Sequence, residues 1–360
     1  MKRTSCILTV FCIILMASTV FAGQEFRPHP MCSDAPCLSV TPAVAGGPVA
    51  RSSDLLTWRW LGNANIEFTY KGQVILFSAY FDRGPRNPHP ISAANVTRVD
   101  ALFLGHAHGD HMSDAAQVAQ QTGAKVYAPK FAYEKLMEQG VPATQVHYVQ
   151  TGEVYQFKGF KVEAIHINHS GINGPLPAPQ GPTPAQAAAL RAFTDAAWGG
   201  PMTAEENAEK DAIFAKGGND PLIRTQGVMA YLFTFGKDFK VMLYDSGSTL
   251  NTPEIDAAMA RIGGTDVASV AYAGGHSHTQ VPYTMVPIKL FNPKLFIPNH
   301  HDEGNYDMNM EKLFQAIRDE IPGAAVISPL YNEPICFNVK SHIATKVSPV
   351  GDVWFYNMKK

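Results

Sequence analysis

The chain has 360 residues, of which 46% are hydrophobic and 17% are charged. It is therefore long enough for one large domain or two small ones, and its composition is that of a globular protein. The formal net charge of -2 excludes the strong basic field that non-specific nucleic-acid binding needs, so we expect no nucleic-acid partner.

Residues 1–22 have the pattern of a secretory signal peptide. Lys2 and Arg3 give a positive start, an apolar run follows from Cys6 to Met16, and Val20 and Ala22 are the small residues of a cleavage site. The run is shorter than the about 20 residues that a membrane-spanning helix needs. We predict cleavage after Ala22, a secreted or periplasmic protein, and no membrane span in the mature chain.

Residues 23–52 are rich in Pro, Ala, Gly and Ser, which predicts an N-terminal arm with little structure of its own. Cleavage of the leader would leave three cysteines. Cys32 and Cys37 could form a small disulfide loop in an oxidising compartment, with Cys336 as an odd thiol buried in a strand. None of the three has zinc-finger spacing.

A catalytic domain is predicted over residues 53–345, and hydrophobic patterning places strands and helices in alternation along it. Strands are expected at 57–61, 66–70, 74–77, 99–104, 126–128, 153–157, 161–167, 227–235, 239–244, 267–272, 295–297, 325–328 and 335–339. Helices are expected at 113–121 with Ser113 as N-cap, at 131–139, at 253–262 and at 308–321, and residues 346–360 are predicted to be a C-terminal tail. This order is typical of an α/β layered domain.

Residues 171–220 differ in composition from the rest of the domain, because they are rich in Pro, Gly and Ala. We interpret them as a helical insertion. Thr183-Pro184 marks one helix start, and Thr203 to Glu206 has the spacing of a capping box for a second helix ending at Gly217-Gly218. The large apolar side chains could line a lid over a site, although packing between the two helices is slightly favoured. They are Leu190, Phe193, Trp198 and Phe214.

The strongest chemical signal is Gly105-His106-Ala107-His108-Gly109-Asp110-His111, directly after a buried strand. Alternate side chains in a loop leaving a strand can point to one side, so His106 and His108 can bind one ion. Asp110 and His111 can turn toward a second ion. Neutral imidazole and carboxylate are ligands that zinc prefers. The alternative is a solvated polar turn, but four such ligands after an apolar strand serve no packing purpose.

This His-x-His-x-Asp-His run resembles the signature of the metallo-β-lactamase superfamily, and the resemblance extends over roughly residues 55–330. The opening Trp60-Leu61-Gly62-Asn63-Ala64 looks like the branch that holds ascorbate-6-phosphate lactonase and N-acyl-phosphatidylethanolamine phospholipase D. The resemblance implies an α/β (α+β) fold, a four-layer αββα sandwich, with metal ions at one edge between the sheets.

The resemblance also implies three more ligands, each after a later strand. His169, at a strand end, is preferred to His166, which lies inside the strand and would be a core or supporting histidine. Asp245 fits a bridging carboxylate, although a turn aspartate before glycine is common. His300, two residues after a proline, is preferred to His301, which could hydrogen-bond nearby or contact substrate.

The complete implied set would hold two zinc ions per chain, with iron or manganese as other options. The first ion would be held by His106, His108 and His169, the second by Asp110, His111 and His300, and Asp245 would bridge them. Two ions about 3.5–4 Å apart would share a hydroxide, because metal coordination lowers the pKa of water to about 7. That hydroxide would be the nucleophile, and Asp110 is predicted to have a catalytic role in orienting it.

One position departs from the pattern of the relatives, which usually carry Asp-Pro after the strand at 74–77. Ser78 stands where the aspartate is expected. A serine can form a hydrogen bond but brings no charge. The departure puts metal affinity, or the second ion, in question.

Substrate contacts are predicted on two loops. His276 and His278 follow the strand at 267–272, at an edge where family members often contact substrate, and we predict a catalytic contact there. A plain polar loop is nearly as well favoured, and a third metal is the least favoured interpretation. Arg83 and Arg86 could supply cations for an anionic substrate, with a solvated loop equally favoured.

The sequence thus favours an exported dinuclear zinc hydrolase that cleaves a small-molecule ester, lactone or amide. The alternatives are a metal-dependent phosphodiesterase, an iron-dependent oxidoreductase of the same fold, and a non-catalytic metal-binding protein. The expected partner is a small-molecule substrate. Its identity depends on loops whose conformation the sequence does not predict. The sequence leaves a homo-oligomer open.

Overall fold

A computed structural model describes residues 35–169, 200–245, 252–272, 277–302, 310–347 and 353–359, together with positions 185 and 188. The strands, in chain order, are β1 (Leu55–Trp60), β2 (Ile66–Tyr70), β3 (Gln73–Phe77), β4 (Ala101–Phe103), β5 (Lys125–Ala128), β6 (Val146–Tyr148), β7 (Val154–Phe157), β8 (Phe160–Ile167), β9 (Val228–Phe235), β10 (Phe239–Tyr244), β11 (Val267–Val270), β12 (Leu295–Phe296), β13 (Ala325–Val326), β14 (Pro334–Asn338), β15 (Ile343–Val347) and β16 (Val353–Asn357).

The helices are, in chain order, α1 (Ala35–Leu38), α2 (Gly109–Met112), α3 (Ala115–Thr122), α4 (Lys130–Glu138), α5 (Ala204–Phe214), α6 (Ile223–Gln226), α7 (Pro253–Ile262), α8 (Ser277–Phe291) and α9 (Met310–Glu320). Single 3-10 turns lie at Ala43–Ala45 and Ala93–Asn95. The insertion predicted over 171–220 is described only from residue 200 onward and at positions 185 and 188, so its first predicted helix lies outside the described residues.

The strands form two mixed sheets. The first has the order β16-β15-β14-β1-β2-β3-β4-β5-β6, and the second has the order β13-β12-β11-β10-β9-β8-β7. Strands β3 to β6 are parallel to one another, as are β10 to β13. Loops that leave the carboxyl ends of parallel strands gather at one sheet edge, which is where ligands bind in such folds.

Large aromatic side chains fill the space between the two sheets. Phe68 of the first sheet contacts Phe233 of the second with ring centroids 5.3 Å apart, and Phe103 contacts Tyr231 at 5.2 Å. Alternation along each strand sends every second side chain inward, so two facing sheets bury a continuous aromatic layer. That layer is the main core of the molecule and fixes the sheets against each other.

Helices cover both outer faces. A second apolar cluster lies between the first sheet and α3 and α4, and a third lies between the second sheet and α7, α8 and α9. The layers are therefore helix, sheet, sheet, helix, as the resemblance implies. The outer face of β1 and β2 is covered instead by residues 36–50. The Arg59–Glu67 ion pair (2.8 Å) is buried beneath this segment and forms hydrogen bonds with its backbone.

The helix starts follow local sequence signals, with one correction. The capping box predicted at Thr203 and Glu206 is present at the start of α5. Ser113 is not an N-cap, because the chain first makes the separate turn α2 and α3 then begins after Asp114. The Asp114 carboxylate does not cap α3. It accepts hydrogen bonds from the amides of Phe81 and Asp82 instead.

Two further expectations differ from the structure at the C-terminal end. Residues 346–360 do not form a free tail, because β15 pairs antiparallel with β14, and β16 pairs with β15 from Ile343↔Asn357 to Val347↔Val353. Cys336 is not an odd thiol, since it forms a disulfide with Cys37, and Cys32 lies outside the described residues. The two bonded cysteines lie next to each other with Cα atoms 5.9 Å apart and are both buried.

Candidate metal centre

The candidate site is assembled from loops that leave the carboxyl ends of several strands. The loop after β4 carries His106 and His108 and continues into α2, which carries Asp110 and His111. The other side chains come from the second sheet: His169 follows β8, Asp245 follows β10 and His300 follows β12. Residues far apart in sequence therefore meet at one edge of the sandwich.

The first group of ligand atoms comes from three histidines. Those of His106, His108 and His169 all lie within 4.8 Å of one another. His106 Nε2 is 3.0 Å from His108 Nδ1, and the His169 ring centroid lies 4.8 Å and 4.7 Å from those of His106 and His108. The backbone N–H of His169 donates to the carbonyl of Arg224 at 2.8 Å, which holds the histidine at the end of β8.

A second group lies beside the first. Asp110, His111 and His300 also have ligand atoms within 4.8 Å of one another. Asp110 Oδ2 is 3.1 Å from His300 Nε2 and 3.5 Å from His111 Nε2. His300 has a φ of 56°, a backbone conformation that non-glycine residues adopt rarely and that often marks functional sites.

Asp245 lies between the two groups. Its Oδ2 is 3.0 Å from His106 Nδ1 and its Oδ1 is 3.0 Å from His111 Nδ1, and its side chain is fully buried. A Cβ added at Gly105 would lie 2.0 Å from Asp245 Oδ2, so only glycine fits between the strand end and this carboxylate. The glycine at the start of the motif therefore makes room for the residue predicted to bridge two ions.

The donor set fits a pair of divalent cations. His111 Nδ1 and Asp245 Oδ1 are buried and 3.0 Å apart, yet neither has a hydrogen-bond partner of acceptable geometry among the described residues. Buried polar atoms without partners are costly, and ligands that converge on an ion are an ordinary reason for them. Imidazole and carboxylate donors, with no thiolate among these seven side chains, suit zinc, iron or manganese.

The electrostatics of the site prepare the imidazoles for coordination. Burial, reinforced by the neighbouring His111, holds the pKa of His106 well below its ordinary value, and burial lowers the pKa of His108 to about 4. Both rings are therefore neutral at pH 7, which is the form that binds metal.

The two carboxylates are ionised in the same site. Burial opposes charge on Asp110 and Asp245, but His111 and other histidines outweigh it and hold the pKa of each carboxyl below its ordinary value. Burial also opposes charge on His111, and the two carboxylates outweigh it and raise the pKa of this imidazole.

His166 and His301 are the two histidines that the sequence analysis preferred less as metal ligands, and neither belongs to a group of ligand atoms. His166 Nε2 lies 2.9 Å from the carbonyl oxygen of Thr225, and its Nδ1 lies 3.9 Å from Glu254, so it falls in neither group of ligand atoms. His301 stacks on Trp60 with centroids 4.3 Å apart. Both have contacts that stabilise loops of the site.

Ser78 lies in the loop after β3, close to the candidate centre in the fold. It is fully buried with φ 59°, and its hydroxyl has no hydrogen-bond partner among the described residues. The adjacent Ala79 amide donates to the carbonyl of His111 at 2.8 Å. The carboxylate that holds this loop comes from Asp114, three residues after the histidine motif. Sequence reasoning missed Asp114, although its position so soon after the motif was a signal.

The predicted cationic loop has a structural role. Arg83 is buried and pairs with Asp302 at 2.5 Å, and Arg86 pairs with Glu206 at 2.6 Å and donates to the carbonyl of Gly200. Carboxylates of the protein pair with both arginines, so the alternative of a solvated loop does not hold for the buried Arg83, and a contact with an anionic substrate stays a prediction. Asp302 was missed, and its signal was the acidic residue directly after the histidine pair.

The remaining predicted substrate groups are only partly described. His276 and the side chain of His278 lie outside the described residues, as do Leu190, Phe193 and Trp198 of the predicted lid. Phe214 is described, and its ring contacts the ring of Tyr80 edge-on with centroids 6.1 Å apart. The end of α5 therefore packs against the loop after β3, next to the candidate centre.

The stacked mixed sheets, the two helical layers and the histidine–aspartate edge define the metallo-β-lactamase fold. Residues 73–196 match the family model described as "Beta-lactamase superfamily domain". The solved structure of Igni18, described as a metallo hydrolase from Ignicoccus hospitalis, superimposes with a TM-score of 0.52 and 16% identity, covering 79% of this chain and 98% of that one. This chain is a metallo-β-lactamase-fold protein.

Curated relatives match somewhat less than half of the chain. A UPF0173 metal-dependent hydrolase from Polynucleobacter asymbioticus is 27% identical over 168 residues, 45% of this chain and 52% of the relative. Another UPF0173 metal-dependent hydrolase, from Cupriavidus necator, is 31% identical over 164 residues, 44% of this chain and 54% of the relative. The chain spans about half the length of the curated relatives it matches.

Among the residues that the structure describes, no helix has both the length and the apolar character needed to cross a membrane.

Proposed function

We propose that the protein is a metal-dependent hydrolase, binding two zinc ions and cleaving an ester, lactone or amide bond of a small molecule. One observation carries the proposal. Two groups of three ligand atoms share no residue, and Asp245 lies 3.0 Å from a histidine of each, forming a third group that joins them. Such an arrangement favours two adjacent cations over one. The names of the curated relatives, which are metal-dependent hydrolases, agree with it.

The chemistry is divided between the cations and the chain. Two adjacent zinc ions, when bound, supply Lewis acidity toward a substrate oxygen and lower the pKa of water enough to make a nucleophile at neutral pH. The chain fixes the ligand positions, keeps the imidazoles neutral and excludes bulk water from the buried side of the site. Asp110, at the more open side, has a second role in this proposal: its carboxylate accepts a proton or orients the attacking water.

The test is elemental analysis of the purified protein together with a substrate screen. We expect about two zinc ions per chain and turnover of an ester, lactone or amide that stops after chelation and returns with added zinc. His108→Ala should remove both metal and turnover while the fold remains. His147→Ala is the matched control, because His147 is exposed, stacks on Tyr127 and belongs to none of the groups of ligand atoms.

Three results would contradict the proposal. The absence of bound metal, with none taken up on addition, would leave a binding role. About one iron per chain would favour redox chemistry. Turnover of phosphodiesters alone would favour a phosphodiesterase.

We further propose that the protein is exported. The disulfide between Cys37 and Cys336 supports this, because disulfides persist in oxidising compartments and are rare in the cytosol. The leader-like residues 1–22 agree with it. N-terminal sequencing of the protein from a cell fractionation should find residue 23 first, in the periplasmic or extracellular fraction. A cytosolic protein with an intact residue 1 would contradict export.

A further inference from the structure

Five lysines lie on turns at the end of the sandwich opposite the candidate metal centre. We term this group the lysine pole, and its members are Lys71, Lys158, Lys237, Lys340 and Lys359. Lys71 is partly buried, and the other four side chains are exposed. Each comes from a different turn, so no local run of basic residues in the sequence announces the group.

The direction of the strands places these turns at one end. Lys71, Lys158 and Lys237 come just before β3, β8 and β10, whereas the loops with predicted ligands leave the carboxyl ends of β4, β8 and β10. Lys340 and Lys359 follow β14 and β16, which run in the opposite direction to β3. Lys359 Nζ also donates to the carbonyl of Lys340 at 3.2 Å. All five turns therefore share the end that is far from the predicted ligands.

Contacts between the turns show that they adjoin one another across the two sheets. Lys71 Nζ lies 2.8 Å from the position that a Cβ at Gly159 would occupy, so the first lysine lies against the turn of the second. The amide of Gly236 donates to the carbonyl of Gly159 at 2.9 Å, and a Cβ at Gly236 would lie 3.3 Å from Val339 Cγ2. The turns thus form one continuous surface.

The charge of the lysine pole is not neutralised by partners within the fold. None of its five ammonium groups forms an ion pair with any residue that the structure describes. Lys289, Lys294 and Lys346 differ, because each pairs with a carboxylate. The acidic residue within one of these turns, Asp238, lies 3.2 Å from His342 Nε2.

The lysines are close enough to act together. Neighbouring strands lie about 4.8 Å apart and facing sheets about 10 Å apart, so the five turns fit in a patch about 20 Å across. Charges in solution interact over about 8 Å at physiological salt. Each lysine is therefore within one or two screening lengths of the next, and a large anionic surface meets all five at once.

The rest of the molecule carries the opposite net charge. The whole chain has a formal net charge of -2, so the part outside the lysine pole is net negative. A long polyanion that extends past the patch would meet this negative surface and be repelled. A flat anionic surface touches only the turns, because they end the strands of both sheets on one side. The charge distribution therefore favours a planar partner.

We propose that the lysine pole docks the protein on a membrane surface that contains anionic phospholipids. Each basic residue near such a surface strengthens binding about fivefold. Of the described residues, no exposed large apolar side chain lies on these turns, so the binding is electrostatic and reversible. The docked protein holds its candidate metal centre away from the membrane. The inference needs no bound metal and does not depend on the proposed function.

Sedimentation with vesicles tests the proposal. Wild type should bind vesicles of phosphatidylcholine with about 30% phosphatidylglycerol at least about tenfold more tightly than vesicles of phosphatidylcholine alone. Salt at about 0.5 M should release it, because the charges are then screened. All proteins that are compared have the same N-terminus, so residues 1–22, where they remain, contribute equally.

The decisive variant is Lys158→Gln/Lys237→Gln/Lys340→Gln, which removes three charges from the lysine pole. We expect its partition coefficient on the anionic vesicles to fall about tenfold to a hundredfold. Exchange of the same three residues for arginine should keep the binding, since arginine keeps the charge. Because these side chains are exposed, both variants should unfold at the wild-type temperature.

The matched control is Lys130→Gln/Lys135→Gln/Lys210→Gln, which removes the same charge from α4 and α5. Its partition coefficient should stay within about threefold of wild type. The inference is overturned if this control and the pole variant bind alike, or if wild type binds the two kinds of vesicle equally. It is also overturned if a short DNA duplex binds wild type more tightly than the anionic vesicles, because a soluble polyanion would then be the partner.

Discussion

Asp302 and His300 are coupled through the backbone of Asn63. The Asp302 carboxylate accepts a hydrogen bond from the Asn63 amide at 3.1 Å, and the His300 amide donates to the Asn63 carbonyl at 2.8 Å. Arg83 completes the arrangement through its buried ion pair with Asp302. The Asp302 carboxylate thus fixes the loop that contains His300, a predicted ligand with a left-handed backbone conformation.

Asp302→Asn should therefore destabilise the protein strongly. The change leaves the Arg83 guanidinium buried without its counter-charge, and breaking a buried pair typically costs about 3–5 kcal/mol. The free energy of unfolding from urea denaturation measures it. Glu311→Gln, in the exposed pair with Arg318, is the control and should cost less than about 1 kcal/mol. Equal losses in the two variants would show that burial of the Arg83 pair is unimportant.

Gly217→Ala should disturb the histidine motif from outside. A Cβ at position 217 would lie 2.3 Å from the Gly109 amide nitrogen and 2.8 Å from the Ala107 carbonyl oxygen, both backbone atoms that yield only if the motif moves. We expect a loss of about 1–3 kcal/mol in stability and a weaker zinc affinity. Thermal unfolding and zinc titration measure the two effects.

Gly84→Ala is the control for Gly217→Ala. The nearest atoms to a Cβ at position 84 are 3.7 Å away, in ordinary contact, and they belong to side chains. We expect a change within about 0.5 kcal/mol. A Gly217→Ala variant that matches this control in zinc affinity would show that the segment after α5 does not support the motif.

Asp114→Asn should change how stability depends on pH. Burial raises the pKa of the Asp114 carboxyl above its unfolded value of about 3.9, so the fold binds this proton more tightly than the unfolded chain does. The tighter proton binding of the folded state stabilises the protein at low pH. This stabilisation is lost as pH rises through the pKa that the carboxyl has in the folded protein. Asparagine does not titrate and still offers an oxygen to the Phe81 and Asp82 amides.

The metal-free wild type should therefore lose stability relative to Asp114→Asn as pH rises above about 4, the unfolded pKa, through the raised pKa of the folded protein. Urea denaturation of both proteins in chelator at several pH values measures the difference, in which the other titrating groups largely cancel. A constant difference, or one that moves in favour of wild type with rising pH, would contradict the raised pKa.

His166→Ala and His169→Ala should separate a loop contact from a ligand. His169 lies in the first ligand group, so its removal should weaken zinc binding at least tenfold. His166 contacts Thr225 and Glu254, so its removal should change zinc affinity only a few-fold. Competition with a chromogenic chelator measures both constants. The opposite order would move the ligand to position 166.

Most strands and helices could be predicted from the sequence because local signals suffice for them, whereas the four-layer arrangement followed from the resemblance carried by the histidine motif. The run of apolar residues in β3, the hairpin of β7 and β8, and the Thr203 capping box depend on neighbours within a few residues. The histidine motif is equally local. The preference for His169 over His166 followed from its position at a strand end, and that for His300 over His301 followed from the spacing after a proline that the resemblance implies. Their roles as ligands stay predictions.

The features that could not be predicted from the sequence depend on contacts between residues that are far apart along the chain. Arg83 looks like a loop cation until Asp302, 219 positions later, comes within 2.5 Å of it. The strand β16 has no strong signal of its own, because its pairing with β15 defines it. Cys37 had a nearer candidate in sequence, but the helix α1 packs against β14 and so brings Cys37 to Cys336.

The bond between Cys37 and Cys336 also makes the predicted ligand set part of a covalent ring. A separation of 299 residues encloses every position from His106 to His300. A protease that cuts once anywhere inside this ring leaves the fragments attached to each other. A nicked molecule would then run as an intact chain in a non-reducing gel and separate into two pieces only after reduction, so the integrity of the chain has to be judged under both conditions.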